Sequence, residues 1–292
     1  MLSIDPTHRA QENHRGILAM VVGMAFFLAN DTLVKLAGAD LPTGQLICLR
    51  GLMACTLLLL MCAHRGLLSQ WRSLCERAVW VRGVFDGLSS ITYLTALIHM
   101  PLADATAINL ASPLFILVLA VIFLHERLLW LRTLAAVIGF IGVLLIVRPS
   151  GEGFNVYAGL CVLGTLGHAI RDLLTRRISA QVPGLLITLA TAASVTVLSG
   201  LWSLTTPWVP VSTMAWVWLG LASACLAGAY HLIIMAMRHG DMGVIAPFRY
   251  SALLYALVLG YLIWGEIPDT WTWIGIGLLV GAGLTLIWSN RP

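Results

Sequence analysis

The sequence contains 292 residues, of which 59% are hydrophobic and only 10% are charged, and its formal net charge is +4. Soluble domains carry roughly 25% charged residues, so this composition excludes a soluble protein and predicts an integral membrane protein. Basic loop residues explain the small positive charge, and no nucleic-acid partner is predicted.

Apolar runs long enough to cross a bilayer follow one another along the whole chain. A helix needs about 20 such residues to span roughly 30 Å of hydrocarbon. Ten runs, numbered here as spans 1 to 10, meet this requirement: 16–37, 41–62, 80–99, 102–124, 129–147, 157–176, 184–204, 213–237, 243–264 and 270–289. The longest stretch between them, 63–79, is too short for a soluble catalytic domain.

The distribution of basic residues predicts the orientation, because cytoplasmic loops collect Lys and Arg. With the N-terminus inside, twelve basic residues lie on the inner side, and only Lys35 and Arg148 lie outside. Residues 1–15 form a polar tail without the features of a cleaved signal peptide. The sequence therefore predicts a multi-pass protein of the inner (plasma) membrane with both termini in the cytoplasm.

The two halves of the chain resemble each other at nearly one offset. A shift of 141 residues matches Gly23 with Gly164, Asp31 with Asp172, Lys35 with Arg176 and Pro42 with Pro183, and a shift of 140 matches Glu126 with Glu266. Each half then holds five spans, and an odd number forces the second half to enter from the opposite side. We expect an all-α fold of ten transmembrane helices in two inverted five-helix repeats, 16–148 and 155–289. This is a transporter architecture.

Two acid–base pairs interrupt apolar spans in corresponding positions. Asp31 and Lys35 in span 1, and Asp172 and Arg176 in span 6, are four residues apart and share a helix face. Two interpretations are open. Each pair is a self-neutralised helix anchor, or the four residues serve in gating or coupling, with protons as the coupling ion.

A polar face on span 3 is a candidate for the wall of a cavity. Asp86, Ser90 and Tyr93 are separated by four and three residues and share one helical face. They either line a substrate cavity or form a buried hydrogen-bonded cluster. Under the shift of 140, Ser90 falls on Tyr230, which makes Tyr230 and the adjacent His231 candidates in the second half.

Prolines are expected to break spans 4 and 9 at corresponding positions. Pro113 frees the carbonyl near Asn109, and Asn109 falls on Arg249, beside Pro247. Broken helices in both halves indicate the binding site of a transporter. Arg249 is therefore expected either to bind a substrate carboxylate, with Tyr250 beside it, or to pair with Asp86 or Asp172.

Three further features complete the sequence-based expectations. His168 in span 6 either titrates near neutral pH or packs as a hydrogen-bonded side chain. Glu126 and Glu266 end spans 4 and 9, where a hydrogen-bonded role is favoured over coupling. Gly277 and Gly281 in span 10 form a GxxxG motif, and Gly220, Ala224 and Gly228 in span 8 continue the small-residue spacing, which predicts close packing of spans 8 and 10.

Two segments resemble a known family. "YLTALIHMPLADATAINLASPLF" (93–115) followed by "LHERL" (124–128), and "APFRYSALLYALVLGYLIWGE" (246–266), are similar to the EamA family of the drug/metabolite transporter superfamily. Within the family the chain resembles bacterial exporters of amino acids, including aromatic ones. The resemblance implies a ten-helix transporter of small molecules.

Motifs of other protein classes are absent from the sequence. "HERLL" (125–129) lacks the second His of a zinc protease, and no nucleotide-binding motif appears. We therefore predict no enzyme, cofactor or metal, and expect a secondary transporter that exports amino acids by alternating access. The alternatives are export of nucleosides, S-adenosylmethionine-like compounds or cationic drugs and, from another class, an intramembrane enzyme.

Overall fold

A computed structural model of the chain describes residues 6–124, 130–147, 156–175, 178–179, 181–238 and 242–289. These ranges are helical and contain no strand. The helices are α1 Pro6–Ala37, α2 Thr43–His64, α3 Arg77–His99, α4 Leu102–Asn109, α5 Ser112–Leu124, α6 Trp130–Val147, α7 Val156–Thr175, α8 Gly184–Ser203, α9 Thr213–Arg238, α10 Met242–Ile245, α11 Ser251–Trp264 and α12 Thr270–Ser289. Two 3-10 helices occupy Leu67–Cys75 and Ala246–Tyr250.

The helices follow the predicted spans closely, with one extension at the N-terminus. α1 begins at Pro6, so helix continues into the segment predicted to be a polar tail. The predicted break of span 4 is confirmed, because α4 ends at Asn109 and α5 begins at Ser112. Span 9 is also broken, since its first half forms α10 and the 3-10 helix that contains Pro247. Proline removes a backbone donor and clashes with the preceding turn, which explains both breaks.

The surface of the helix bundle suits lipid rather than water. Within the described residues, six helices or helix pairs are long and apolar enough to cross a membrane by length and composition. Large apolar side chains face outward, among them Leu60, Leu254 and Leu262, whose side chains are 62%, 65% and 71% exposed. Patches of this extent are unusual on soluble monomers. The protein is a multi-pass membrane protein.

The packing of the helices relates the two halves of the chain. α1 packs on α9 as α7 packs on α3, and α2 packs on α9 as α8 packs on α3. α1 contacts α11 as α7 contacts α5. The contacts of α2 with α8 and of α6 with α12 each join two corresponding helices of the two halves. Each of these contacts is preserved when the helices of one half are exchanged for those of the other.

Glycines allow α12 to approach α6, whereas the sequence predicted that span 10 packs against span 8. A Cβ added at Gly275 would lie 2.7 Å from the carbonyl oxygen of Gly142, and one at Gly142 would lie 2.6 Å from that of Gly275. In contrast, no atom lies within 4 Å of a Cβ added at Gly220, Gly277 or Gly281. Gly228 meets Phe26 of α1 instead. The prediction that these small residues join spans 8 and 10 is therefore wrong, because Gly220, Gly277 and Gly281 lie on faces that no described helix covers.

The crossing of α6 and α12 gives a testable difference between two glycines of one helix. Gly275→Ala is expected to lower the free energy of unfolding by about 1–3 kcal/mol, because the added methyl group overlaps backbone. The matched control Gly277→Ala meets open space and is expected to cause no loss. Thermal unfolding of the two detergent-purified variants measures the difference, and equal midpoints would contradict the described crossing.

Candidate functional site

Ionisable and polar side chains gather inside the bundle, where the first three helices meet α7 and α9. We call these residues the polar cluster: Asn30, Asp31, Arg50, Asp86, Tyr93, Asn109, His168, Arg171, Asp172 and Tyr230. A charge within a bilayer is costly and is usually paired, hydrogen-bonded or functional. The partners of each member therefore indicate its role.

One part of the polar cluster is a closed ionic triad. Nη1 of Arg171 donates to Oδ1 of Asp86 at 2.7 Å, and Nη2 of Arg171 lies 2.8 Å from Oδ1 of Asp172. Nε of Arg171 also donates to Asp172, at 2.9 Å. Asp86 is only 2% exposed, so this pairing satisfies a carboxylate that has no access to water.

The second part of the polar cluster keeps its charges apart. Nη1 of Arg50 donates to Oδ1 of Asn30 at 3.1 Å, and Nδ2 of Asn30 donates to Oδ1 of Asp31 at 2.9 Å. The hydroxyl of Tyr93 donates to Oδ2 of Asp31 at 2.9 Å. Asn30 thus stands between a buried guanidinium and a carboxylate.

His168 lies where the broken span 4 meets these two parts. Its Nδ1 is 3.3 Å from Oδ1 of Asn109, the last residue of α4, and its ring centroid is 5.7 Å from that of Tyr93. The packed, hydrogen-bonded role predicted as one alternative for His168 agrees with this geometry. Tyr230 packs edge-on against Phe27, with ring centroids 5.4 Å apart, and lies within the electrostatic reach of Asp86, Arg171 and Arg50.

A separate ionic site ties α1 to α4 and α11. Nζ of Lys35 lies 2.5 Å from Oε1 of Glu266, donates to the carbonyl of Met100 at 2.8 Å, and sits 4.5 Å from the ring centre of Trp264. Oε2 of Glu266 accepts from the backbone N–H of Leu102 at 2.8 Å, at the start of α4. The carboxylate therefore binds both a cation and an otherwise unpaired helix N-terminus.

The contacts of Lys35 and Asp31 correct the predicted pairing within α1. Lys35 binds Glu266 and not Asp31, because its long side chain reaches the carboxylate of Glu266, which follows the end of α11 and is held by the N–H of Leu102. Asp172 pairs with the neighbouring Arg171, and its predicted partner Arg176 lies outside the described residues. The hydrogen-bonded role predicted for Glu266 at a helix end is confirmed, whereas Glu126 also lies outside the described residues.

Four predicted site residues do not join the polar cluster. Arg249 is exposed and does not pair with Asp86 or Asp172, which bind Arg171 instead, so the pairing alternative is wrong. The hydroxyl of Tyr250 occupies the space beside Gly283 of α12. Ser90 is half-buried, and its side chain makes no hydrogen bond to the described residues of the cluster. His231 is exposed, with Nδ1 3.4 Å from Nη2 of Arg65.

Sequence reasoning missed the arginines that hold the polar cluster together. Arg50 and Arg171 also lie within predicted spans, but only Arg249 lies near a proline, and the carboxylate-binding role was therefore predicted for Arg249. Arg82 was not selected as a candidate either, although it lies in α3 and donates to the hydroxyls of Thr175, at 2.8 Å, and Thr191.

Two cavities adjoin the bundle without reaching the polar cluster. One, of about 350 Å³, lies beside the Lys35 site and is lined by residues that include Met100, Asp104, Glu266 and Asp269. The other, of about 540 Å³, is an apolar groove between α2 and α9 that includes Leu57, Leu60 and Met61. No residue of the polar cluster lines either cavity.

Named relatives of this chain are membrane transporters. It is 28% identical over 208 residues to an S-adenosylmethionine uptake transporter of Rickettsia bellii, covering 71% of this chain and 70% of that protein. It is 28% identical over 282 residues to the pseudopaline exporter CntI of Pseudomonas aeruginosa, covering 93% and 95%. A riboflavin transporter of Brucella anthropi is 28% identical over 204 residues, covering 67% and 70%.

The fold also matches a solved structure. A crystal structure aligns with a TM-score of 0.64 and 21% sequence identity, covering 94% of this chain and 97% of that one.

The family model for EamA-like transporters matches the chain twice, over residues 14–148 and 156–288. Since these two matches include nearly the whole sequence, the chain belongs to the EamA-like transporter family.

Proposed function

We propose that the protein is a secondary transporter for small metabolites that contain an α-amino acid group, and that it exports them. The observation that carries this proposal is the polar cluster, in which guanidinium and carboxylate groups lie close together inside a membrane bundle. A substrate with one positive and one negative group complements such a site. Amino acids, including aromatic ones, and S-adenosylmethionine share this pair of groups.

Two relatives support parts of this proposal. The S-adenosylmethionine transporter moves a compound that contains an amino acid. The pseudopaline exporter aligns over almost its full length and supports the outward direction.

We further propose that the chain forms ten transmembrane spans in two inverted repeats, 16–148 and 155–289. The exchange symmetry of the helix contacts and the double match to the family support this arrangement. Alternating access would then arise from rocking of one half against the other about the polar cluster. Substrate would pass Asp86, Tyr93, Asn109, His168 and Tyr230.

The predicted pathway residues outside the polar cluster keep a secondary role in this proposal. Ser90, His231, Arg249 and Tyr250 are expected nearer the edges of the pathway. Asp31 and Asp172 are the carboxylates available for proton coupling.

We also propose an orientation in the inner membrane with cytoplasmic termini, and the contacts at one end of the bundle agree with the alternation of spans that this orientation requires. Lys35, Met100, Leu102 and Glu266 all belong to segments predicted to lie outside, and they meet in one site. The Lys35 site is therefore proposed as the closure of the outer mouth.

Transport by the purified protein tests the substrate class. Liposomes that contain the protein are expected to release labelled methionine, tryptophan or S-adenosylmethionine down a gradient faster than protein-free liposomes. Labelled riboflavin serves as the comparison, because it lacks an α-amino acid group. Flux of riboflavin without flux of any of the three amino acid compounds would refute the proposed substrate class.

Breaking the Lys35 site is expected to open the outer mouth. Cys161 is fully buried, with its Sγ 3.7 Å from the carbonyl oxygen of Ala105 in α4. In a chain that retains only this cysteine, Lys35→Met and Glu266→Gln should each raise its rate of modification by a membrane-impermeant maleimide severalfold. Glutamine still accepts from Leu102, so the second variant removes the ion pair and keeps that hydrogen bond.

The matched control for the gate is Asp40→Asn, which changes a charge at the same end of α1 without touching the Lys35 site. Asp40 is exposed in the turn that follows the helix, and its variant should label at the parental rate. Equal labelling of all variants would show that the Lys35 site does not close the mouth.

A further inference from the structure

The amide of Asn30 separates two opposite charges that would otherwise form an ion pair. Its oxygen accepts from Arg50 at 3.1 Å, while its nitrogen donates to Asp31 at 2.9 Å. Arg50 and Asp31 are close enough to interact electrostatically. Even so, no ion pair within 4.0 Å joins them. This separation is unlike the triad, where Arg171 contacts both of its carboxylates directly.

Arg50 is left with unused hydrogen-bonding capacity in a buried position. Arg50 is 6% exposed, and its Nε has no hydrogen-bond partner among the residues that the structure describes. The guanidinium has five N–H donors, yet among the described residues only Asn30 accepts from it. A buried charge that is neither paired nor fully hydrogen-bonded is destabilising, so Arg50 would gain from contact with an anionic group.

Asp31 is the complementary half of this arrangement. Its carboxylate accepts from two neutral donors, the hydroxyl of Tyr93 and the amide of Asn30. No basic side chain of the described part of the chain lies in ion-pair contact with it. A cation that approaches Asp31 would therefore meet a carboxylate whose charge is not yet neutralised.

The amide of Asn30 presents the same pattern as a zwitterion, but without charge. It offers an acceptor to Arg50 and a donor to Asp31, as an α-amino acid would offer its carboxylate and its ammonium group. We propose that Arg50 binds the substrate carboxylate and Asp31 binds the substrate ammonium group, with the Asn30 side chain turning aside. This assignment rests on the proposed function and specifies which residues bind the two charged groups of the substrate.

The exchange favours the substrate because both new contacts involve two charges. Each contact of Asn30 joins one charged group to a neutral amide, whereas each new contact would add the direct Coulomb attraction of two opposite charges, which is strong in a medium of low dielectric constant. Asn30 also keeps Arg50 and Asp31 from forming a direct ion pair, which would have to be broken before each binding event. Tyr93 holds the carboxylate of Asp31 in place from α3.

Analogues that lack one charge distinguish this assignment from a structural role. Transport of labelled methionine by wild-type proteoliposomes is measured in competition with unlabelled methionine, methionine amide or N-acetylmethionine. The amide lacks the carboxylate, and the acetyl compound lacks the ammonium group. Wild type should prefer methionine over each analogue by about tenfold or more, as expected for loss of one charge-assisted contact. The tryptophan series is used in the same way if tryptophan is carried faster.

Each variant is expected to lose only one of the two preferences. Arg50→Gln should accept the amide as well as methionine and still reject the acetyl compound, whereas Asp31→Asn should show the opposite pattern. Arg50→Lys, which retains the positive charge, should recover part of the preference for a carboxylate. Arg72→Gln, at an exposed arginine of the 3-10 helix Leu67–Cys75, is the control and should keep both preferences.

The possible failures are distinct. If wild type carries no amino acid compound, the proposed function fails. If wild type carries methionine but Arg50→Gln and Arg50→Lys lower competition by all three compounds in parallel, Arg50 has a structural role and the assignment is wrong. Loss of the carboxylate preference in Arg249→Gln, with Arg50→Gln unaffected, would move the carboxylate site to Arg249 and also overturn the assignment.

Discussion

The contact of Arg171 with Asp86 and Asp172 is the constraint on which the interior of the bundle depends. Within hydrocarbon a lone carboxylate as buried as Asp86 is unfavourable, so α3 and α7 must stay close enough for the ion pair to persist. Glycines permit this approach: a Cβ at Gly164 would lie 2.9 Å from the backbone nitrogen of Tyr93. The same approach places Tyr93 beside His168 and within reach of Asp31.

The two parts of the polar cluster solve the same electrostatic problem in different ways. Arg171 contacts both of its carboxylates directly, which suits a joint between helices. Arg50 and Asp31 are each held by the neutral amide of Asn30, which a charged ligand can displace. This asymmetry also breaks the internal repeat, because the shift that aligns Asp31 with Asp172 places Asn30 on Arg171. The second half, which has Arg171 at this position, forms the joint, and the first half, which has Asn30 there, provides the exchangeable site.

Local sequence rules predicted the fold well and the partners of charges poorly. Apolar run lengths gave the helices, and Pro113 and Pro247 gave the breaks, because each effect acts within one helix. The i, i+4 spacing of Asp31 and Lys35 suggested a pair, but Lys35 binds Glu266, 231 residues away. The spacing of residues shows which side chains share a helix face, but it does not show which part of the protein that face contacts. For the same reason Gly277 has no close neighbour while Gly275 touches α6.

One helix connects the proposed binding residues to the proposed outer closure. Asn30 and Asp31 lie about one turn before Lys35 on α1, a rise of roughly 6 Å. A shift of α1 that pulls Lys35 away from Glu266 must also displace Asn30 and Asp31 relative to Arg50 on α2. Conversely, a substrate that draws Asp31 and Arg50 together through its own charges favours one position of α1 over the other. Binding and opening would then be coupled through a rigid segment, which requires a ligand with different affinities for the two positions.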